Sequence, residues 1–179
     1  MKVTISNEEL VDHKVSEAHL QQAADSIHND GYVVLENVIT NHKLDILRLK
    51  MLEDLLTLIS DKEKVMPIIY VNVHIHLDSP TYAPYIFRVL VANPFVTQVT
   101  HKVLGHGLYN SYFSGNTNLP GSGTQPVHVD TGQLWQNLRV AHPVFSLVVN
   151  VAPLEVNEDN GSVELWPGSH SDISVSRYD

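Results

Sequence analysis

The sequence predicts an α+β fold whose second half is mostly β. Amphipathic helical patterns dominate the early part of the 179 residues, and short β-rich segments separated by Gly, Pro and Asn follow them. The composition, 43% hydrophobic and 17% charged, is typical of a globular chain. The length suffices for one domain with a real core, so we predict a single domain over residues 1–179.

Three helices are predicted in the front part of the chain. They cover residues 16–29, about 41–60, and 93 to about 104. Ser16 suits an N-cap, and Gly31 and Gly105 stand where helices stop. The apolar residues of all three segments recur at helical spacing, which predicts one buried face on each helix. We expect residues 1–105 to supply helical support together with the first strands.

Short strands are predicted around and after these helices. The segments are 32–35, two pieces of 65–77 broken by Pro67, 108–113, 115–123, 125–130, 145–151 and 163–166. They are rich in β-branched and aromatic residues, and turn-forming residues bound them. Residues 106–179 are therefore expected to form the β-rich half.

Charge and composition exclude several functional classes. The 11 Lys and Arg face 20 Asp and Glu, a net charge of −9, so the basic footprint of a nucleic-acid-binding protein is absent. No apolar run reaches the roughly 18 residues of a membrane span, and the first residues lack a signal peptide's apolar core. The lack of cysteine excludes thiolate metal sites and disulfides. The lack of cysteine also suits a cytoplasmic protein, which is our expectation.

A candidate metal-binding pair lies in the segment Gln125-Pro126-Val127-His128-Val129-Asp130. Residues two apart on a strand face the same side, so His128 and Asp130 would present one nitrogen and one oxygen donor together. Such a pair is two-thirds of the two-His-one-carboxylate set that holds Fe(II) and leaves coordination positions open. Taken alone, the motif favours a surface strand that carries two polar residues, because a His-x-Asp pair often occurs by chance.

A second candidate is the alternating run His74-Ile75-His76-Leu77-Asp78. Three ligands on one strand face would resemble the metal motif of metallo-β-lactamase-like hydrolases, which use two zinc ions to activate water. Ser79 replaces the last histidine of that motif, and Pro80 follows where a Gly-rich turn is expected. A polar strand face is the favoured interpretation, and a metallo-hydrolase remains the less favoured function.

Other polar residues are given structural interpretations. His170 is expected to hydrogen-bond within its own turn, and the histidines of the first helices, such as His19, are expected to face solvent. His142 precedes Pro143 at a strand start and could reach the site, but no motif marks it. Asn150 interrupts an apolar run, so we expect it to face either a pocket or a loop.

The motifs in their order resemble the phytanoyl-CoA dioxygenase (PhyH-like) family of Fe(II)/2-oxoglutarate-dependent oxygenases. The resemblance covers nearly the whole chain. It rests on the segments 29–35, 93–105 and 120–130, and on the run Asn160-Gly161-Ser162-Val163-Glu164-Leu165-Trp166-Pro167-Gly168-Ser169-His170. The last two segments at their mutual spacing are the most specific.

The resemblance implies a double-stranded β-helix of the jelly-roll or cupin-like type around a metal centre. It implies a dioxygenase that uses Fe(II), 2-oxoglutarate and O2 to hydroxylate or otherwise oxidise a C–H bond of a small organic substrate. His128 and Asp130 match the family's first two metal ligands and would be the catalytic residues. Gln125 matches a position beside the cosubstrate or substrate.

Three weaker pocket candidates accompany this set. Tyr112 and Trp135 are assigned to cofactor binding, with Asn110 as a further candidate beside Tyr112. Packing in an aromatic core or at a strand edge explains them equally well. The turn at residues 167–170 matches a structural turn of the family, so His170 is not expected to be a metal ligand.

The chain departs from the family pattern at its end. The family's second histidine ligand, and the arginine that pairs with 2-oxoglutarate, come well after the turn at residues 167–170. Only nine residues follow His170; they include no histidine, and Arg177 comes too early to match. We therefore expect a C-terminally incomplete domain that lacks the last strands, or else a degenerate, non-catalytic relative acting as a binding or structural protein. Unpaired strand edges would favour poor solubility or a homo-oligomer.

Overall fold

Helices dominate the regular secondary structure of this protein, for which a computed structural model describes residues 1–60, 69–70, 74–135 and 137–174. The helices are α1 (Asn7–Asp12), α2 (Glu17–Asp30), α3 (Asn41–Ser60), α4 (Arg88–Val91) and α5 (Pro94–Leu104). The strands are β1 (Lys2–Thr4), β2 (Val34–Glu36), β3 (Ile69–Tyr70), β4 (His74–His76) and β5 (Asn116–Asn118). A 3-10 turn spans Ser169–Ser171.

The three predicted helices are confirmed nearly residue for residue. Ser16 caps α2 by accepting a hydrogen bond from the His19 N–H, and Gly31 ends the helix with a φ of +85°. Asn93 caps α5 by accepting from the N–H groups of Phe95 and Val96. The positions of these helix ends are determined locally, because each cap side chain satisfies backbone groups that a helix terminus leaves unpaired.

The first residues form a strand and a helix that the sequence analysis did not predict. β1 pairs in parallel with β2, in the register Val3 to Leu35. Ser6 and Glu9 make a capping box at the start of α1, in which each side chain accepts from the other residue's backbone N–H. The Ser-x-x-Glu spacing is the sequence signal that identifies this helix start.

Glu9 is a buried carboxylate, only 7% exposed. Burial raises its pKa, but hydrogen bonds from the N–H groups of Ser16 and Ser6 outweigh this effect and lower the pKa from 4.5 to about 2. The imidazole Nδ1 of His19 lies 2.9 Å from the same carboxylate. The expectation that His19 faces solvent is therefore wrong, because the N-terminal segment folds back over the start of α2.

The described core sits where α2 and α5 pack around the β1–β2 pair. Its buried members are Val3, Ile5, Val15, Ala23, Ile27, Phe95 and Val99. From the second half of the chain, Leu147 packs against this cluster as a partly buried residue. The core therefore lies almost entirely within the front part of the molecule.

The second half is extended, but it contains few strands. β5 pairs antiparallel with β4, and β4 pairs antiparallel with β3. Among the described residues, the predicted strands at 108–113, 125–130, 145–151 and 163–166 form no ladder with one another. The prediction of a mostly β half is thus not met there, because a strand requires a partner's backbone groups as well as β-prone residues.

Apolar side chains of this half remain at the surface. Exposed ones include Val140, Val148, Leu154, Val163 and Trp166, each at least half exposed. The chain as a whole exposes 12652 Å², whereas a folded monomer of 20.0 kDa exposes roughly 8,700 Å².

None of the helices in the described ranges combines the length and apolarity needed to cross a bilayer.

Candidate metal centre

His128 and Asp130 point toward one another in an extended segment. The Nε2 atom of His128 lies 3.5 Å from Oδ1 of Asp130, and both side chains are accessible, at 39% and 62%. The segment has no ladder partner among the described residues, so the predicted strand is not formed there. The two side chains still meet, because the i, i+2 relation of an extended backbone is local and does not depend on sheet pairing.

A backbone carbonyl orients the imidazole of His128. Its Nδ1 lies 2.7 Å from the carbonyl oxygen of Pro126. A carbonyl accepts but cannot donate, so Nδ1 carries the hydrogen and the neutral ring presents the lone pair of Nε2 to Asp130. Metal-binding histidines are commonly fixed in this way, with the second ring nitrogen donating to a carbonyl or carboxylate.

The spacing of the two donors is compatible with a shared metal ion. Two ligands at right angles, each about 2.1 Å from a metal, are separated by about 3 Å. The 3.5 Å between Nε2 and Oδ1 is close to that value. With a proton on Nε2 the same pair is an ion pair, and without one it is a nitrogen and an oxygen donor facing a common point.

The pair supplies two ligands, and the described residues supply no third. Within them, no three His, Asp or Glu side chains are close enough together to hold a metal ion. His128 and Asp130 therefore fit two positions of a two-His-one-carboxylate set. The third position of such a set is not filled by any described residue.

The alternative run around β4 is tested only in part. His74, Ile75 and His76 do form a strand, in register with Asn118, Thr117 and Asn116 of β5. Ile75 is buried, at 1% exposed. The side chains of His74 and His76 lie outside the described residues, so the three-ligand face remains a prediction.

The remaining predicted site residues fall in different places. Tyr112 and Asn110 line a cavity of ≈ 390 Å³ beside Ile86 and Phe113. The Asn110 side chain donates to the carbonyl of Val91 and accepts from the N–H of Tyr112. This cavity shares no lining residue with the one that contains Trp135.

Trp135 lines a second, open cavity of ≈ 530 Å³. The other lining residues are Gln133, Asn137, Leu138 and Ile173. Its ring makes an edge contact with His142, at 5.8 Å between centroids, and His142 makes a similar contact with Phe145 at 4.9 Å. This aromatic cluster could not be predicted from the sequence, because no periodicity links residues across an irregular loop.

Gln125 and Asn150 are exposed. Asn150 was expected to face a pocket or a loop, and it lies at the surface of an extended segment. Val148, Val149 and Val151 beside it are exposed as well, so the segment does not bury Asn150. The assignment of Gln125 to the cosubstrate stays a prediction.

The turn at residues 167–170 joins the two halves of the molecule. The Gly168 N–H donates to the carbonyl of Asp30, and His170 Nε2 lies 3.1 Å from the carbonyl of His28. The prediction that His170 hydrogen-bonds within its own turn is therefore wrong, because its ring contacts the end of α2 instead. Its Nδ1 is buried without a hydrogen-bond partner among the described residues.

Gly31 makes this docking possible. A Cβ atom at Gly31 would lie 2.7 Å from Nδ1 of His170, and the glycine has a φ of +85°. Both the left-handed backbone and the close approach therefore require glycine at this position. The segment around Gly31 and the turn at 167–170, two parts of the sequence signature, are in direct contact.

A comparison with protein-family models places the chain among known proteins. The phytanoyl-CoA dioxygenase (PhyH) family matches residues 27–177, most of the sequence. The matched range begins in α2, contains His128 and Asp130, and includes the docked turn. Proteins of this family have a cupin or jelly-roll fold and are typically Fe(II)/2-oxoglutarate-dependent dioxygenases. The chain belongs to the phytanoyl-CoA dioxygenase (PhyH) family.

Proposed function

We propose that this protein is an Fe(II)/2-oxoglutarate-dependent dioxygenase that hydroxylates, or otherwise oxidises, a C–H bond of a small organic substrate. The observation that supports this proposal is the His128–Asp130 pair, with Nε2 and Oδ1 3.5 Å apart inside the range matched by the family. A double-stranded β-helix around this pair is part of the proposal.

His128 and Asp130 would hold the iron. The Pro126 carbonyl keeps the hydrogen on Nδ1 of His128, so that Nε2 stays available as a ligand. Asp130 contributes a negative charge that favours a divalent cation over a neutral ligand. When bound, Fe(II) with 2-oxoglutarate activates O2 for oxidation of the substrate.

The acidic balance of the chain agrees with a small-molecule substrate rather than with nucleic acid. The net charge of −9 would repel a phosphate backbone. We propose that neither nucleic acid nor a membrane is a partner.

The direct test is an anaerobic titration of the protein with Fe(II) and 2-oxoglutarate. We expect a metal-to-ligand charge-transfer band with the wild type and its loss in both His128→Ala and Asp130→Ala. His106→Ala is the matched control, because His106 is an exposed histidine that bonds only to His101 among the described residues. This variant should retain the band.

Two outcomes would overturn the proposal. Absence of the band in a folded wild-type protein would favour the non-catalytic relative, a binding or structural protein. Zinc-dependent hydrolysis that is lost in His76→Ala would favour the metallo-hydrolase instead.

A further inference from the structure

We infer that the open cavity beside Trp135 binds an uncharged substrate with a planar, apolar ring, rather than a coenzyme A thioester. That this ligand is a substrate rests on the proposed dioxygenase function. The inference depends on the lining of the cavity, on the exposure of Trp135 and on the distribution of cations.

The cavity lies close to the candidate metal pair along the chain. Gln133 and Trp135 follow Asp130 by three and five residues. A fully extended chain spans about 3.6 Å per residue, so the Cα of Gln133 lies within about 11 Å of that of Asp130. On the proposed function, a molecule that occupies this ≈ 530 Å³ space would place part of itself near a metal held by the pair.

The chemistry of the lining is neutral. Its members are two amides, one indole and two aliphatic side chains: Gln133, Asn137, Trp135, Leu138 and Ile173. The amides offer hydrogen bonds to hydroxyl or carbonyl groups, and the other three offer apolar contact. None of these five side chains is ionisable, so the described lining offers no partner for a charged substrate group.

Trp135 provides the recognition surface. It is 60% exposed even though its ring contacts His142. An exposed tryptophan fixed by an edge contact presents a large, rigid apolar surface at little entropic cost. A planar ring is the ligand group that gains most from such a surface.

The cations of this half are too few for a phosphate-rich substrate. Between residues 106 and 179 the sequence has two Lys or Arg, Arg139 and Arg177, against seven Asp and Glu. A single guanidinium suffices to pair with one carboxylate, but the phosphate groups of coenzyme A require several cations or backbone cradles. The charge of this half therefore disfavours a coenzyme A thioester.

The inference is tested by fluorine NMR on protein labelled with 5-fluorotryptophan. The chain has two tryptophans, so two resonances are expected, and Trp166→Phe assigns them. Trp166 is the internal control: it is 55% exposed, and its Nε1 donates to Glu164 at 2.8 Å. The probes are 1-naphthol, an uncharged planar molecule, and coenzyme A.

We expect 1-naphthol to shift the Trp135 resonance saturably and to leave that of Trp166 in place. Coenzyme A at the same concentrations should move neither. By calorimetry, Trp135→Ala should weaken 1-naphthol binding roughly three- to tenfold, whereas Trp166→Ala should not change it. Saturable binding of coenzyme A at Trp135, or equal shifts of both resonances with 1-naphthol, would overturn the inference.

The two proposals fail in different ways. If the charge-transfer band is present but Trp135 does not respond to 1-naphthol, the substrate class is wrong and the dioxygenase stands. If the band is absent while Trp135 binds 1-naphthol selectively, the cavity is a ligand site and the dioxygenase is wrong.

Discussion

The front and rear halves of this protein differ in how their apolar residues are used. In the front half, side chains such as Phe95 and Val99 are almost fully buried between α2 and α5. In the rear half, Val148 and Trp166 are more than half exposed, and among the described residues the extended segments after β5 have no ladder partners. Stability therefore resides in the front half, whereas the candidate chemistry lies in the rear half.

A pair of site residues can be positioned by the local backbone alone, even where the surrounding fold depends on contacts between distant parts of the chain. His128 and Asp130 converge because they are two residues apart on an extended backbone. The barrel typical of the family requires pairing between segments far apart in sequence, which only long-range contacts provide. Five perturbations test whether the two halves differ as much as their packing indicates.

The largest effect is expected from truncating a phenylalanine in the front core. Phe95 is 3% exposed, so Phe95→Ala should lower the free energy of unfolding by about 3–5 kcal/mol. The matched variant Phe145→Ala, at a residue that is 40% exposed, should cost less than about 1 kcal/mol. Denaturant unfolding measures both, and equal losses would show that the halves share one core.

The contact between the halves is tested at Gly31. Gly31→Ala combines an unfavourable positive φ with a Cβ 2.7 Å from His170, so a loss of about 2–3 kcal/mol is expected. Gly107→Ala is the control, because Gly107 has a similar φ of +83° with no atom within 4 Å of its Cβ. It should lose only about 1–2 kcal/mol. Identical losses in thermal unfolding would mean that the docked turn contributes nothing.

Acid should act on the front half through Glu9. Its pKa is lowered to about 2 in the folded protein from an ordinary 4.5, so the carboxylate's contribution is complete above pH 4.5. That contribution is lost as the pH falls from 4.5 toward 2. Glu9→Gln should cost about 1–3 kcal/mol at pH 7 and flatten the pH dependence of stability across this window. An unchanged pH profile in this variant would contradict the role of Glu9.

Removal of the candidate iron ligand His128 should leave the stability of the protein nearly unchanged. His128→Ala should abolish the charge-transfer band yet alter the free energy of unfolding of the metal-free protein by less than about 0.5 kcal/mol, because His128 is exposed. Chemical denaturation of the metal-free variant checks this expectation. A large loss of stability would mean that the pair is structural.

At the exposed segment 145–151 we expect the smallest effect on stability, and a change in self-association instead. An extended apolar segment without a ladder partner is a template for strand addition, so we predict self-association or poor solubility. Val149→Lys should shift the protein toward monomer in size-exclusion chromatography and light scattering, since an edge charge opposes pairing. The control variant Val11→Lys, at an exposed position of α1, should not change the oligomeric state. A wild type that is monomeric at all concentrations would contradict this prediction.

Local signals predicted the front half well. Ser16, Gly31 and Asn93 fixed the ends of α2 and α5, because caps act on backbone groups within a few residues. The start of α1 was missed although its Ser-x-x-Glu signature is present. In the rear half, β propensity predicted extended backbone but not which segments pair, because pairing depends on partners distant in sequence. The single domain over residues 1–179 remains a prediction.

Motifs and neighbouring residues were enough to indicate the family, the ends of α2 and α5, and the candidate pair His128 and Asp130. Only the folded structure shows that His170 docks onto the end of α2 beside Gly31, and that Trp135 and Tyr112 line separate cavities. These contacts join residues far apart in the chain, and composition and spacing carry no information about which distant residues meet.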